Sequence, residues 1–437
     1  MERCHNYDLF TDYEFFMSQK LSITNHKSDS GLFKHPIVLA VTTAILALSL
    51  SSCDKKTDDE AAPVAESDKV ARLIPPRVKD RKSWAADILA VLDESKIPHN
   101  LQNLCSVVAI VDQESNFHAD PAVPNLPNDA KKALFERIQD KLGDTGVDKF
   151  KEMLQNKPSP TDNFMSQIDK IKTEQDLDIL YQKMFDYFRD HYNLSIITGA
   201  ASLFAGHDMK EYFNPIKTLG SMQVHVNFAF KHPRNSSKTT EIRKDMYTQY
   251  GGLYYGINRL LGYSTNYDKA IYRFADYNSG IYSSRNVAFQ QTIAKLSQIP
   301  LDLDGDLLAY NKDQEALAQR SDVETQISML VRENKLGLSD SNIRSDLLHE
   351  KEQDFETTET YKKVNALYLA KFKKAPPYAA MPHVEITGPK LSQNYDTNWY
   401  AKRVDGRYRR CEMIGRRLHI AQGPAKNDDA DDNSDDQ

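Results

Sequence analysis

Between Trp84 and Phe289 the apolar residues of this chain recur at helical spacing, and few stretches alternate apolar and polar side chains over strand length. That pattern points to a mainly α fold. Helical segments are expected at Trp84–Leu92, Leu101–Gln113, Asp129–Leu154, Met165–Arg189, Ile257–Leu261 and Tyr267–Tyr277. Breaks fall at Pro121–Pro124, at Pro158-Ser159-Pro160 and around Pro215 to Val224. After Pro300, Gln314–Asn334 and Ser341–Lys371 read as exposed, charge-laced helices. A loop-rich finish dense in arginine and aromatics then runs from Met381 to Arg417. Leu301–Asp306 lacks the ordered carboxylate spacing and distal glutamate of a calcium loop and reads as a turn.

The termini follow different rules. Ile37 to Leu50 is a 14-residue, mostly apolar run behind Lys20, Lys27 and Lys34. It is too short for the ~20 residues of a membrane-spanning helix. With its basic lead and small-residue end it has the layout of a secretory signal over residues 1–52, with Met17 a candidate true start. Residues 53–70 are polar and read as a tether, and 421–437 as a disordered acidic tail with six aspartates between Asn427 and Gln437. Without the signal and that tail, a chain of formal charge −6 becomes nearly neutral, which excludes a nucleic-acid-binding field. Cys105 and Cys411 are left to pair in an oxidising compartment or to stay as buried thiols, and spacing does not separate the two.

Leu50-Ser51-Ser52-Cys53 resembles the lipobox of bacterial lipoproteins. The resemblance implies acylation of Cys53, a periplasm-facing envelope protein and an anchor in a membrane. The outer membrane is favoured, although Asp54, next to the cysteine, resembles an inner-membrane retention residue.

One residue stands out chemically. Leu104, Val107, Val108 and Val111 form one helical stripe, and Glu114 continues it three residues on. A carboxylate aimed into an apolar face at a helix C-terminus is expected to keep its proton, as the general acid of glycosidic-bond cleavage must. Leu219–Val224 places a glycine, a thioether and an amide in a tight turn, and Ala275–Gly280 puts a phenol and an amide at a helix end.

In order, Glu114-Ser115-Asn116-Phe117, Gly220-Ser221-Met222-Gln223 and Ala275-Asp276-Tyr277-Asn278-Ser279-Gly280 resemble the signature of the lysozyme-like superfamily, as in soluble lytic transglycosylases and goose-type lysozymes. Tyr255–Leu261 is similar to the glycine-and-leucine helix before the last of these motifs. The resemblance covers about Leu101 to Gln290. It implies a lysozyme-like helical domain at 71–300, with a long helical insertion at about 125–215 because Gly220 lies 106 positions after Glu114. A helical, loop-rich C-terminal unit follows at 301–420. The whole also resembles a Gram-negative lipoprotein family of unassigned function, one member of which is associated with antimicrobial-peptide uptake.

The implied activity is that of a lytic transglycosylase or muramidase on peptidoglycan glycan strands. Glu114 and Tyr277 would be catalytic, with Tyr277 orienting Glu114, and Ser115, Met222, Gln223 and Asn278 would line the substrate. A hydrolytic route would need a base, for which Asp120 and Asp276 are the nearest carboxylates in sequence. No cofactor or metal is expected, since the chain has no His-Glu-x-x-His, Cys-x-x-Cys or phosphate-binding glycine loop. The alternatives are an envelope lipoprotein of the same fold that binds or imports peptides, with antimicrobial peptides or a transporter as partners, and a structural partner of other envelope proteins.

Overall fold

The computed structural model describes residues 66–191, 210–211, 214, 216–311, 315–386 and 395–422. The signal, Cys53, Asp54, most of the tether and the acidic tail lie outside the described residues. The described chain is mainly helical. Its helices are α1 (Glu66–Leu73), α2 (Arg81–Glu94), α3 (Leu101–Glu114), α4 (Leu126–Asn156), α5 (Phe164–Ile168), α6 (Glu174–His191), α7 (Val226–Lys231), α8 (Thr239–Met246), α9 (Gln249–Leu261), α10 (Ala270–Ser279), α11 (Ser283–Ser297), α12 (Asp322–Glu333), α13 (Asp340–Leu347), α14 (Glu359–Phe372) and α15 (Thr397–Arg417). Two antiparallel two-residue ladders complete it: β1 (Thr218–Leu219) with β2 (Val224–His225), and β3 (Glu385–Ile386) with β4 (Tyr395–Asp396). No described helix is long and apolar enough to cross a membrane.

Local chemistry sets the helix starts. Asn100, Thr248, Ser321, Thr358 and Asp396 each accept a backbone N–H of the first turn of α3, α9, α12, α14 and α15, satisfying donors that a helix leaves orphaned. Ser339 and Asn342 close a reciprocal capping box at α13. The expected Met165–Arg189 helix is broken: α5 ends at Ile168, and Thr173 and Asp176 bond each other's backbone to start α6 afresh. α4 is interrupted at Gly143, whose φ of 67° is left-handed.

Two apolar cores result. The first gathers Leu73, Trp84, Ile88, Leu104, Val107, Met222, Leu253 and Phe274 with Tyr400, Val404 and Tyr408 of α15. The second is built from Phe289, Ile293, Leu330, Ile343, Phe355 and Val364 of α11–α14 and the 3₁₀ turn at Gln353–Thr357. α11 joins them. Arg285, wholly buried, donates to the Glu352 and Glu350 carbonyls and lies 4.0 Å from the centre of the Tyr282 ring. Asn286 donates to the carbonyls of Gly305 and Glu350. Leu301–Asp306 is a turn held by these contacts and by Gln290, whose Oε1 accepts the Gly305 N–H at 3.0 Å.

The largest departure from expectation is α15. Residues 397–417 form one helix of 21 residues where a loop-rich finish was expected. Its arginines are good helix formers, and Tyr400, Val404, Tyr408, Cys411 and Gly415 make a stripe mostly of aromatic and small residues, with Val404 its aliphatic member. That stripe packs along α3 and α10 in the first core. A disulfide joins Cys105 of α3 to Cys411 of α15 across 306 residues of chain.

Cys105→Ser with Cys411→Ser is expected to lower unfolding free energy by about 2–4 kcal/mol. Urea titration with and without reductant checks this: reductant should cost the native chain the same amount and the double variant nothing.

Candidate functional site

α3 delivers Glu114 as its last residue. The helix is buried almost all round, from Leu101 to Glu114, and Glu114 itself is 5% exposed. The chain then turns sharply, with Asn116 and Phe117 both at positive φ, and Phe117 meets Trp84 edge-on at 5.3 Å. Ser115 Oγ donates to the Val111 carbonyl at 3.2 Å and accepts the His118 N–H, which closes the helix end.

The second motif sits in the β1–β2 turn. Gly220 has φ 77°, and a Cβ there would lie 2.3 Å from the Met246 carbonyl. Met222 is fully buried on α9, where a Cβ on Gly256 would collide with its Sδ at 2.2 Å. The turn and the glycine of α9 therefore require each other. Tyr277 of α10 donates its hydroxyl to the Met222 carbonyl at 2.7 Å, so the second and third motifs meet directly. Arg259 donates to the Asp276 carbonyl and lies 5.7 Å from the centre of the Tyr277 ring.

The hydroxyl that donates to Glu114 Oε1 is that of Tyr400, on α15. Tyr400 is 2% exposed, and its hydroxyl is pushed well above its usual range by burial first, then by the Glu114 carboxylate and by Tyr277. Glu114 and Tyr400 thus form a buried pair, and the half-buried Tyr277 lies close enough to act on the Tyr400 hydroxyl. The remaining motif side chains have partners from outside the motifs. Gln223 accepts from Thr218 at 3.1 Å and donates to Glu174 Oε2, at the start of α6, at 3.3 Å. Asn278 Oδ1 accepts from Thr397, the first residue of α15, at 2.9 Å.

Neither candidate base is close to Glu114 in its bonding. Asp276 is fully buried and accepts from the Ser284 N–H and from the hydroxyls of Tyr263 and Tyr267, tying α10 to α11. Asp120 faces the start of α6 and accepts the Gln175 N–H. Burial raises both carboxyls.

The segment between the first two motifs is fastened by charge. Arg243 of α8, 0% exposed, bonds Asp178 of α6 at 2.9 Å, Glu211 at 3.0 Å and the Ile216 carbonyl at 2.8 Å. Beside it Glu174 is held up to about 8, by burial first and then by Asp120 and Asp178, against the opposing bond from Gln223. Its Oε1 has no hydrogen-bond partner among the described residues.

Sequence reading missed Tyr400, Thr397 and Glu174. The stripe on α15 could have revealed the first. Nothing in the pattern marks Glu174, because its setting is created by packing. His349, Glu352 and Asp354 cluster near the surface, with His349 Nδ1 2.9 Å from Glu352 and 3.2 Å from Asp354.

With this geometry in place, comparison identifies the class. Residues 77–413 match the family described as "Protein of unknown function (DUF1615)", and the chain belongs to it. It is 32% identical over 383 residues to "Uncharacterized protein YaiW" of Escherichia coli (strain K12), covering 85% of this chain and 98% of that relative. No solved structure matches.

The raised Glu174 carboxyl favours the folded state fully below its unfolded value near 4.5, and that stability is lost as pH rises toward 8. Glu174→Gln should therefore flatten the fall in stability between pH 5 and 8, read by urea midpoints at the two pH values. An unchanged pH slope refutes it.

Proposed function

We propose that this chain is a lipid-anchored envelope protein, acylated at Cys53, whose lysozyme-like site acts on peptidoglycan glycan strands as a lytic transglycosylase. The observation that carries this reading is the Glu114 carboxyl, dry at the end of α3 and in contact with a phenol, beside the Tyr277–Met222 link that joins the other two motifs. A carboxylic acid in that setting can protonate the oxygen between N-acetylmuramic acid and N-acetylglucosamine. The C1–O bond breaks and the leaving sugar keeps the proton. The carboxylate then takes the C6 hydroxyl proton as that oxygen closes on C1, giving the anhydro end with no second carboxylate and no water. Tyr400 holds Glu114 until a strand enters, and the first turn of α15 has to yield for the sugar to reach it.

Glu114→Gln should lower release of anhydromuropeptides from purified sacculi by at least about 10²-fold, with the far-ultraviolet dichroism unchanged. Tyr400→Phe should change the rate while leaving product chemistry the same. Equal product from the wild type and Glu114→Gln ends the catalytic reading.

A second reading has its own observation. Gln223 and Asn278, which would touch sugar, are already bonded by Glu174 and Thr397. On that reading the chain binds strands or imported peptides without turnover. Sacculi then sediment the wild type and Glu114→Gln equally, and neither releases product.

A further inference from the structure

Where α3 ends, two arginines share one aspartate and two more lie close enough to act on the charge of one of them. Asp112, 5% exposed, pairs with Arg77 from the α1–α2 connection and with Arg407 of α15 at 3.2 Å. Arg77 also donates to Asn116, two residues beyond Glu114, at 3.1 Å. Arg403, Arg407 and Arg410 fall at i, i+4 and i+7, on one face of α15. Arg403 lies 4.9 Å from the centre of the Trp399 ring, and its Nε is buried with no hydrogen-bond partner. Arg410 is exposed and pairs with no carboxylate among the described residues. The charges repel: Arg407 is lowered by burial and, in part, by Arg403, Arg410 and Arg77. Elsewhere on α15, Arg409 pairs with Asp405 and Arg416 with Glu412. Beside Asp112, two guanidiniums share one carboxylate, and Arg403 and Arg410 pair with no carboxylate among the described residues.

We propose that Arg77, Arg403, Arg407 and Arg410 form an anion-binding site that takes the carboxylates of the peptide stems borne on a glycan strand. This rests on the glycan-strand reading above and deepens it. Arg403 and Arg407 follow Tyr400 by one and two helical turns, about 5–10 Å along the axis at 1.5 Å per residue. A strand with a sugar at Glu114 therefore presents its substituents to this cluster. Guanidinium forks match carboxylates with two parallel hydrogen bonds, which ammonium groups do not. The same excess of positive charge disfavours a cationic peptide at this face.

Sedimentation with purified sacculi, and with strands stripped of peptide by an amidase, tests it. The wild type should bind peptide-bearing strands more tightly than stripped ones, with the difference shrinking as NaCl rises. The doubly substituted R403Q/R410Q chain should lose about tenfold in affinity for peptide-bearing strands and stay within twofold on stripped strands, and R403K/R410K should recover only part. Equal affinity of the wild type for both strands overturns the proposal, as does an equal loss on both in R403Q/R410Q. Binding to neither overturns the glycan-strand reading and this one with it. Arginine-dependent binding to phosphatidylglycerol vesicles, without discrimination between strands, overturns it in favour of a membrane-facing patch.

Discussion

The contact between α3 and α15 is the constraint on which the site depends. α3 is buried on nearly every side, and the face that would otherwise meet water is covered by a helix from close to the far end of the chain. Apolar packing supplies most of the energy, at ~1.5–3 kcal/mol for each fully buried large side chain. The Cys105–Cys411 bond fixes the register, and with the register fixed Tyr400 falls on Glu114 and Arg407 on Asp112. One helix thereby satisfies a carboxyl that would be costly to bury alone and pairs a second two residues earlier on α3.

The other polar groups in the interior follow the same logic with less complete compensation. Arg243 and Asp178 lock α6 to α8 through bonds that fill most of their capacity, so their burial is tolerable. Glu174 is less well served and favours its neutral form. Arg285 does for the second core what Arg243 does for the first, replacing water with backbone carbonyls and ring faces. These arginines specify how units meet, where aliphatic contacts alone would permit sliding.

Much of the helical framework was legible in the sequence because aliphatic residues mark it at regular spacing. α3 is recovered to within a residue, and Glu114 stands out because a carboxylate interrupts the pattern on its buried side. Gly220 and Gly256 were visible as glycines, and the structure gives each its reason: Gly220 lies against the Met246 carbonyl and Gly252, and Gly256 makes room for Met222. α15 was missed because its buried stripe, although regularly spaced, is made of tyrosines, a valine, a cysteine and a glycine set among arginines, a composition that also suits an exposed loop. Tyr400, Thr397 and Glu174 reach the motif residues across long sequence separations, and local spacing carries no record of such encounters.

A polypeptide is made from its amino end, and the arrangement of α15 gives that direction a consequence. When the three motif segments have all emerged, Glu114 still lacks its phenol, and α3 its covalent staple and the arginines of α15. Those arrive together, more than a hundred residues later. The surroundings of Glu114 are therefore completed only once α15 is present, and a shortened chain ending before Tyr400 would carry Glu114, Gln223 and Tyr277 without the phenol that donates to Glu114.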